Sequence, residues 1–361
     1  MLHDKNNEAY ESSAMNEENI DVEDTTMEAS ETAQEIQAEV EMESKSNAQH
    51  GKHQSFINHK AIAKNKQIDK TARAFFTVCA VLSGIMIVLI FIFVVSRGVQ
   101  PFLSSYGEEQ QHLGEFLTGM RWRPDQGTYG VLFIIINTIV SAIGAAVIAF
   151  PLSVMTALMI TRLAPKKLRT ALTMVVELLA AVPSVVFGVF AASEITALVR
   201  NMAETAGKTS TGLSLLAVMF LLAIMIFPTI TDLAIVAINA VPEPLIHGSL
   251  AVGASETQTN FKMVLKAAKS GIFSGLVLGL GRAFGEATAV SMVAGNGYIF
   301  YTDPFEKTRT LTSTMLTGFH ETQGVDYDIR FSVGIVLMIL ILITNGAIHF
   351  IKRQVGGPVN E

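Results

Sequence analysis

Six apolar segments, each close to the length that crosses a bilayer as a helix, divide the chain. A membrane-spanning helix needs about 20 predominantly apolar residues, because each residue adds about 1.5 Å. Segments of this kind occupy residues 74–95, 130–160, 170–199, 213–238, 270–297 and 331–351. The pattern predicts an all-α membrane protein built as a bundle of six transmembrane helices.

The charge distribution adds an acidic head to this apolar body. Half of the residues are hydrophobic and 16% are charged. Residues 1–50 hold 14 acidic residues and two lysines, a net charge of −12, so the rest of the chain carries +6 of the total of −6. Few apolar residues and a high charge are typical of disorder. We therefore expect a disordered acidic cytoplasmic tail over residues 1–67 and a six-span membrane domain over residues 68–361.

Basic residues near the spans predict the orientation, since cytoplasmic loops are enriched in Lys and Arg. Those before the first span and in the loop after the second are Lys60, Lys64, Lys66, Lys70, Arg73, Arg162, Lys166, Lys167 and Arg169. Both termini and the connection 239–269 are then cytoplasmic, and the stretches 97–129 and 298–330 are external. In the first of these external stretches we expect Trp122 and Tyr129 to lie at the membrane interface.

The fifth span carries two opposite charges. Arg282 and Glu286 are four residues apart, so a continuous helix places them on one face. Counted from Gly271, Arg282 lies roughly 16 Å along the helix, near the middle of a hydrocarbon layer about 30 Å thick. A charge at that depth costs about 2.5–3.5 kcal/mol on insertion scales. We interpret both residues as part of a substrate pathway; a purely structural ion pair is the alternative.

Glycines in the same span predict close contact with neighbouring helices. Gly275 and Gly279 form one small-xxx-small pattern, and Gly281 and Gly285 form a second. Such patterns let two helix backbones approach each other. The fifth span is therefore expected inside the bundle.

Three prolines fall within the predicted spans, at Pro151, Pro183 and Pro228. Proline removes a helical hydrogen bond, and broken helices at membrane depth are tolerated where they line a cavity. We expect helix breaks at all three positions, around a transport pathway. The alternative is that proline is simply more frequent in membrane helices.

Three further polar residues are candidates for the pathway: Glu177 and Ser184 in the third span and Asn296 at the end of the fifth. An intramembrane enzyme would need a catalytic pair at depth. Ser184 and Glu177 could supply a nucleophile and a carboxylate, but neither has a histidine or lysine base beside it. The sequence therefore favours transport over catalysis.

No nucleotide or metal site is expected on this chain. The run from Gly207 to Thr209 ends like a P-loop, but Met202 stands where the first glycine is required. The run from Gly279 to Gly285 has three residues before its last glycine, where a dinucleotide fold has two. Cys79 is the only cysteine, and the histidines follow no ligand spacing. We expect no cofactor here; any ATP would be used by other subunits.

The connection 239–269 and four other stretches carry a family resemblance. The connection has a helix-compatible segment after Val241-Pro242 that ends at Gly253. It resembles the cytoplasmic loop of ABC importer permeases, in which a short coupling helix carries a Glu-Ala-Ala pattern. The stretches FLTGMRWRP, ELLAAVPSVVFG, IMIFPTI and GLGRAFGEATAVSMVAGN are similar to the phosphate-importer permease of the PstC type. This resemblance covers about residues 116–351 and implies a type I ABC importer permease.

The resemblance also implies which residues contact the ATPase. They are Pro242, Glu243, His247, Gly248, Ser249, Gly253 and Ala254. The sequence departs from the family where His247-Gly248-Ser249 replaces Glu-Ala-Ala or Glu-Ser-Ala, and where Leu265-Lys266 replaces Leu-Pro. Gly in a helix costs about 1 kcal/mol relative to Ala. The coupling helix is therefore expected to be less preorganised than in the family.

The partners implied by the resemblance are a PstA-like second permease, a PstB-like ATPase dimer and an extracytoplasmic PstS-like phosphate-binding protein, in a bacterial cytoplasmic membrane. No nucleic acid is involved. The planar guanidinium of Arg282 suits an oxyanion, and Glu286 could hold it until the anion arrives. Three alternatives stay open: a PstA-like permease, a permease for sulfate or molybdate, and a membrane-bound sensor with the acidic head as its output.

The predicted topology is testable with single cysteines placed at Ser249 and Thr302 after Cys79 has been replaced. We expect a membrane-impermeant thiol reagent to label position 302 from outside and position 249 only from the cytoplasmic side. Equal labelling of the two positions from outside would contradict the six-span topology.

Overall fold

The computed structural model describes the backbone of residues 59–355 and the side chains of residues 70–350 apart from Ser105, Glu108 and His349. The described residues divide into two units between residues 86 and 87. Most of the predicted acidic tail lies outside the described residues. Helix α1 (His59–Val99) begins before residue 67, and the apolar stretch within it begins at Lys70. The boundary between tail and membrane domain stays a prediction.

Helices dominate the described chain. After α1 they are α2 (Leu113–Thr118), α3 (Leu132–Leu158), α4 (Lys166–Ala181), α5 (Ser184–Phe190), α6 (Thr196–Thr205), α7 (Leu215–Asn239), α8 (Glu243–Ala251), α9 (Glu256–Gln258), α10 (Leu265–Gly285), α11 (Thr288–Val293), α12 (Leu311–Leu316) and α13 (Val325–Val355). Wider π-helical turns at Met159–Leu163, Ala191–Ile195 and Thr259–Val264 extend or join them, and 3-10 turns lie at Gln100–Phe102, Ser104–Glu109 and Pro124–Gln126. Strands β1 (Trp122–Arg123) and β2 (Thr128–Tyr129) form an antiparallel hairpin.

The predicted number of membrane spans is confirmed. Among the described residues, six helical stretches are long and apolar enough to cross a bilayer: Lys70–Phe102, Leu132–Leu163, Ser184–Thr205, Leu215–Asn239, Glu256–Gly285 and Val325–Ile348. Four of them differ from the predicted bounds by more than five residues at one end or both. The first ends later, the third begins and ends later, the fifth begins and ends earlier, and the sixth begins earlier than the hydrophobic pattern indicates.

The three prolines behave differently from one another. Pro183 (φ −59°, ψ 139°) separates α4 from α5, so the predicted break there is confirmed and the third span begins at Ser184. Helices α3 and α7 continue through Pro151 and Pro228, so the breaks predicted there are wrong. Both helices pack tightly along their length, which compensates for the one hydrogen bond that each proline removes.

Helices α3 and α7 form the centre of the bundle. Small residues make up much of the buried side of α3. Ser214 precedes α7 as its N-cap, and its hydroxyl accepts a hydrogen bond from the Ala217 N–H at 3.2 Å. The buried alanines of α3 are Ala142, Ala145, Ala146, Ala149 and Ala157. Because small side chains let the backbones come close, apolar residues of α7 such as Leu221 and Ile226 are fully enclosed.

Helix α10 packs on α7 through one of its two predicted glycine patterns. A Cβ at Gly275 would lie 3.1 Å from the Leu233 Cβ, and one at Gly279 would lie 2.8 Å from Ile230 Cγ1. This pattern is confirmed as a contact surface. A Cβ at Gly281 or Gly285 would meet nothing within 4 Å, so the second pattern packs against none of the described residues.

A second apolar cluster lies at the end of the bundle that holds the hairpin. Trp122 is 0% exposed and Tyr129 is 7% exposed, with ring centroids 5.2 Å apart in an edge-to-face contact. Their predicted position as interfacial anchors is therefore wrong, because both rings fill the core of the hairpin. Burial raises the pKa of Tyr129 to about 12. Residues 308–314, predicted as part of an external stretch, are also buried.

Gly212 provides a test of how tightly α6 and α7 are connected. It has φ +86°, and a Cβ there would collide with the carbonyl oxygen of Thr196. We expect Gly212→Ala to lower the free energy of unfolding by about 1–3 kcal/mol, the usual range for overpacking, measured by thermal unfolding of the purified protein in detergent. Gly207→Ala is the matched control, since Gly207 also has positive φ (+70°) but open space around it. Equal losses in both variants would contradict the predicted collision.

Candidate functional site

Arg282 lies in the last turn of α10, beside a cavity of about 680 Å³. Its Nη1 donates a hydrogen bond to the hydroxyl of Thr229 on α7 at 3.1 Å. A cation at this end of a helix also interacts favourably with the helix dipole. The predicted position of Arg282 at the middle of one uninterrupted helix over residues 270–297 is wrong, since α10 ends at Gly285.

Four polar side chains from three helices meet around this cavity. Thr229 comes from α7, Ser274 and Arg282 from α10, and Asn345 from α13. The remaining lining residues are Val277, Leu278 and Gly281. A mostly apolar wall with a few polar groups is typical of a site for a small ligand. Arg282 is the one cationic residue among those that line this cavity.

Glu286 is separated from Arg282 by a break in the helix. Its φ of −74° and ψ of 116° end α10, and its Oε1 accepts a hydrogen bond from the Ala289 N–H at 3.1 Å in the first turn of α11. Within the described part of the chain, no ion pair joins Arg282 to Glu286. The prediction that they share one helical face is therefore wrong, because the i,i+4 relation requires the helix to continue through Glu286.

The segment 308–314 contacts the backbone just before and just after α11. The hydroxyl of Thr312 donates to the carbonyl oxygen of Glu286 at 2.7 Å. At the far end of α11, Arg309 donates from Nε to the Gly297 carbonyl at 3.0 Å and from Nη2 to the Asn296 carbonyl at 2.8 Å. Burial lowers the pKa of Arg309 to about 10, so its guanidinium is still protonated at neutral pH.

The other predicted pathway residues do not line the Arg282 cavity. Asn296 adopts a left-handed conformation (φ 48°) after α11, and its Nδ2 donates to the Ser291 carbonyl at 3.4 Å. Ser184 is the first residue of α5, and Glu177 is exposed on α4, outside the third span. Of the predicted pathway residues, the structure therefore places only Arg282 at this cavity.

The predicted coupling helix is present as α8. Pro242 precedes it, and Gly253 (φ +87°) ends it. The Gly253 N–H donates to the Leu250 carbonyl at 3.0 Å and the Ala254 N–H to the Ser249 carbonyl at 3.2 Å, which is the arrangement of a Schellman motif. Gly253 therefore has a conformational role that other residues fill poorly.

Two side-chain contacts define the surroundings of α8. The Ser249 hydroxyl lies 3.0 Å from the Thr259 hydroxyl, which links α8 to the start of the fifth span. His247 Nε2 lies 3.7 Å from Glu243 Oε2, one turn earlier on the exposed face. A Cβ at Gly248 would meet nothing within 4 Å. The exposed face of α8 is therefore open to substitution.

The basic loop after α3 lies at the same end of the bundle as α8. Arg162 donates from Nη2 to the carbonyl of Ile238, near the end of α7, at 3.1 Å. Arg169 donates from its own Nη2 to the Thr161 carbonyl at 2.7 Å. The connection 162–169 thus contacts the end of α7, directly before the connection 239–269.

Comparison with known proteins decides the family. The family model described as binding-protein-dependent transport system inner membrane component matches residues 149–356, more than half of the chain. The chain belongs to this family. It is therefore a multi-pass inner-membrane permease, a transport subunit and not an enzyme.

Relatives place the permease among ABC importer permeases. It is 37% identical over 282 residues to the probable ABC transporter permease protein YqgH of Bacillus subtilis, across 77% of this chain and 89% of the relative. It is 31% identical over 242 residues to the phosphate transport system permease protein PstC of Mesorhizobium japonicum, across 62% of this chain and 74% of the relative. The predicted resemblance to the PstC type is confirmed.

Solved structures show the same fold. A bacterial ABC transporter involved in the import of the acidic polysaccharide alginate has a chain that superposes with a TM-score of 0.56 at 18% identity, across 81% of this permease and all of that chain. At that identity the likeness concerns the fold alone. The predicted fold class, a six-span type I ABC importer permease bundle, is confirmed.

Three residues of interest in the permease were not predicted. Thr312 and Arg309 lie in a stretch that the hydrophobic pattern placed outside the membrane. Only tertiary contacts bring Thr312 to the break at Glu286 and Arg309 to Asn296 at the far end of α11. Asp232 is half-buried on α7, where it interacts electrostatically with Glu177. An acidic residue inside an apolar span is a signal in its own right, and it could have identified Asp232.

Proposed function

We propose that this permease forms the translocation pathway for inorganic phosphate in an ATP-driven importer. The observation that carries the proposal is the guanidinium of Arg282, which lines a cavity between helices with a neutral hydroxyl as its hydrogen-bond partner. Relatives named as phosphate transport system permease PstC support phosphate as the anion.

The chemistry of the cavity suits a hydrated oxyanion in transit. Arg282 offers a planar set of donors that matches two oxygens of a tetrahedral anion. Since the Arg282 partner is Thr229 and not a carboxylate, no ion pair with another described residue cancels its positive charge. Thr229, Ser274 and Asn345 can both donate and accept, which suits an anion that is itself partly protonated at neutral pH. One cation among neutral groups binds weakly enough to allow release, as transport requires.

The proposed partners follow from the same family. A PstA-like permease completes the pathway, a PstS-like binding protein delivers phosphate from outside, and a PstB-like ATPase dimer hydrolyses ATP, so that this chain needs no cofactor. Helix α8 is the proposed ATPase contact, because apolar side chains stand exposed on and just after it: Leu245, Leu250 and Val252, the last 86% exposed. Both termini are then cytoplasmic.

The contacts of α8 provide a route for coupling. Movement of the ATPase would displace α8. The hydrogen bond between Ser249 and Thr259 connects α8 to the start of the fifth span, which carries Arg282 in its last turn. Ile246 packs into the apolar cluster at this end of the bundle. Alternating access to the cavity would follow from such a displacement, although the coupling residues depart from the family pattern.

The test of the proposed function is uptake of labelled phosphate into vesicles that contain the reconstituted four-component complex. We expect Arg282→Gln to abolish uptake and Arg282→Lys to recover little, because an ammonium keeps the charge but loses the planar donor geometry. The double variant Arg282→Gln with Glu286→Gln is the control for charge balance. We expect it to assemble without recovering uptake.

Two outcomes would contradict this role of Arg282. Wild-type uptake by Arg282→Gln would exclude a contact with the anion. Recovery of both assembly and uptake in the double variant would show that Arg282 serves only to balance Glu286. Uptake of sulfate or molybdate in place of phosphate would keep the pathway and change the substrate.

A separate prediction concerns coupling. We expect His247→Glu with Gly248→Ala to raise the ratio of phosphate-stimulated to basal ATP hydrolysis in the assembled complex. Removing the glycine stabilises the helix by about 1 kcal/mol. The carboxylate introduced at position 247 lies one turn from Glu243, and such a like-charge i,i+4 pair costs only about 0.2–0.5 kcal/mol. The open space around Gly248 admits the added methyl group.

Gly253→Ala is the matched control for this coupling prediction. It introduces the same methyl group at a position with φ +87°, so it should weaken the end of α8 and lower the ratio. An unchanged or lower ratio in the His247→Glu, Gly248→Ala variant would show that the ATPase partner compensates for the departures.

A further inference from the structure

We propose that Thr312 is a positioning residue that keeps Arg282 available to the transported anion by holding the break between α10 and α11. The inference rests on the proposed function of Arg282. Its structural basis is one hydrogen bond between side chain and backbone. The hydroxyl of Thr312, a residue 6% exposed, donates to the carbonyl oxygen of Glu286 at 2.7 Å, across 26 positions of the sequence.

The break decides whether Arg282 and Glu286 can pair. If the helix continued for one more turn, the two side chains would have the i,i+4 spacing at which Arg and Glu attract each other. In an environment of low dielectric that attraction is stronger than in water. The extended ψ of Glu286 (116°) prevents this, and its carboxylate instead caps the Ala289 N–H.

Thr312 opposes that continuation directly. In a continuing helix the Glu286 carbonyl would point along the axis toward the N–H of Val290. In the structure the same carbonyl accepts the Thr312 hydroxyl from a different element, α12. Loss of this donor would leave the carbonyl without that partner and favour an extended α10, with the Glu286 carboxylate close to the guanidinium.

The position of Thr312 is itself well defined. Thr310 caps α12 through reciprocal hydrogen bonds with Ser313, and its hydroxyl lies 3.2 Å from the Thr312 hydroxyl. The N–H of Leu311 donates to the Thr138 hydroxyl of α3 at 3.0 Å, which fastens α12 to the centre of the bundle. These contacts fix the position of Thr312, and a residue that orients another side chain needs a fixed position of this kind.

The test uses the maximal rate of phosphate uptake per assembled complex, with phosphate-loaded binding protein in excess. We expect Thr312→Val to lower this rate roughly two- to tenfold, the factor that corresponds to one hydrogen bond of about 0.5–1.5 kcal/mol. Thr312→Ser keeps the hydroxyl and should transport normally. Thr314→Val is the matched control, because the Thr314 hydroxyl is buried on the same helix but donates only to the Thr310 carbonyl four residues earlier.

A second set of measurements, in a variant that lacks the Glu286 charge, separates a positioning role of Thr312 from a purely structural one. Glu286→Gln keeps an oxygen that can cap the Ala289 N–H but cannot form an ion pair with Arg282. We expect the effect of Thr312→Val to disappear in this background, since the competing ion pair no longer exists. A structural defect would persist in both backgrounds.

Three results would overturn the proposal. They are an equal loss of uptake rate from Thr312→Val with and without Glu286→Gln, an equal loss of uptake rate in Thr314→Val, and a normal uptake rate in Thr312→Val. Loss of assembly in Thr312→Val and Thr312→Ala but not in Thr312→Ser would make the hydroxyl a folding requirement. The Arg282→Gln variant, measured alongside, distinguishes the two proposals. Normal uptake by Arg282→Gln would refute the proposed function. Loss of uptake by Arg282→Gln together with normal uptake by Thr312→Val would refute only the positioning role of Thr312.

Discussion

The contact between α3 and α7 is the interaction on which the rest of the bundle depends. Small residues on α3 let the two backbones approach, and the Ser153 hydroxyl donates to the Phe227 carbonyl at 3.0 Å, next to Pro228. This polar contact joins the two helices beside Pro228, at a depth where a bilayer offers the backbone no water. Helix α7 stays continuous through Pro228 and presents Thr229 to the cavity.

The guanidinium groups of Arg282 and Arg309 donate to neutral oxygens, whereas Arg330 also has a carboxylate partner. Arg282 donates to a hydroxyl, and Arg309 donates to two carbonyls. Arg330, in the first turns of α13, donates to the Thr314 carbonyl at 2.8 Å and also lies 3.6 Å from an oxygen of Asp326. A cation held by neutral groups keeps an electrostatic attraction for anions that an ion pair would largely cancel. This property suits a permease for an oxyanion and would be lost if Glu286 reached Arg282.

The helix break at Glu286 links these features. It ends α10 just after Arg282, it turns the carboxylate toward α11, and it exposes a backbone carbonyl to Thr312. No proline lies at this break, so the hydrophobic and proline patterns both predict a continuous helix through it. Glu286 caps the next helix as an acidic residue commonly does at a helix N-terminus, and α12 supports the same point through a contact distant in sequence.

The sequence by itself determined the fold class, the six spans and a short helix after Pro242. The length of an apolar segment and the presence of a glycine that ends a helix, such as Gly253, are local properties of the sequence. The bilayer in addition allows few alternatives to a helix. It also identified Arg282 as a pathway candidate, because a cation in an apolar segment is expensive wherever the segment packs.

Only the tertiary structure decided where α10 ends, which of its glycines pack against α7 and which polar residues meet. Gly275 and Gly281 look alike in sequence, but only Gly275 faces α7. Trp122 looks like an interfacial anchor, but the hairpin buries it. Thr312 acquires its role from a hydrogen bond to a residue 26 positions away. Such contacts depend on the packing of whole elements, which hydrophobic periodicity does not encode.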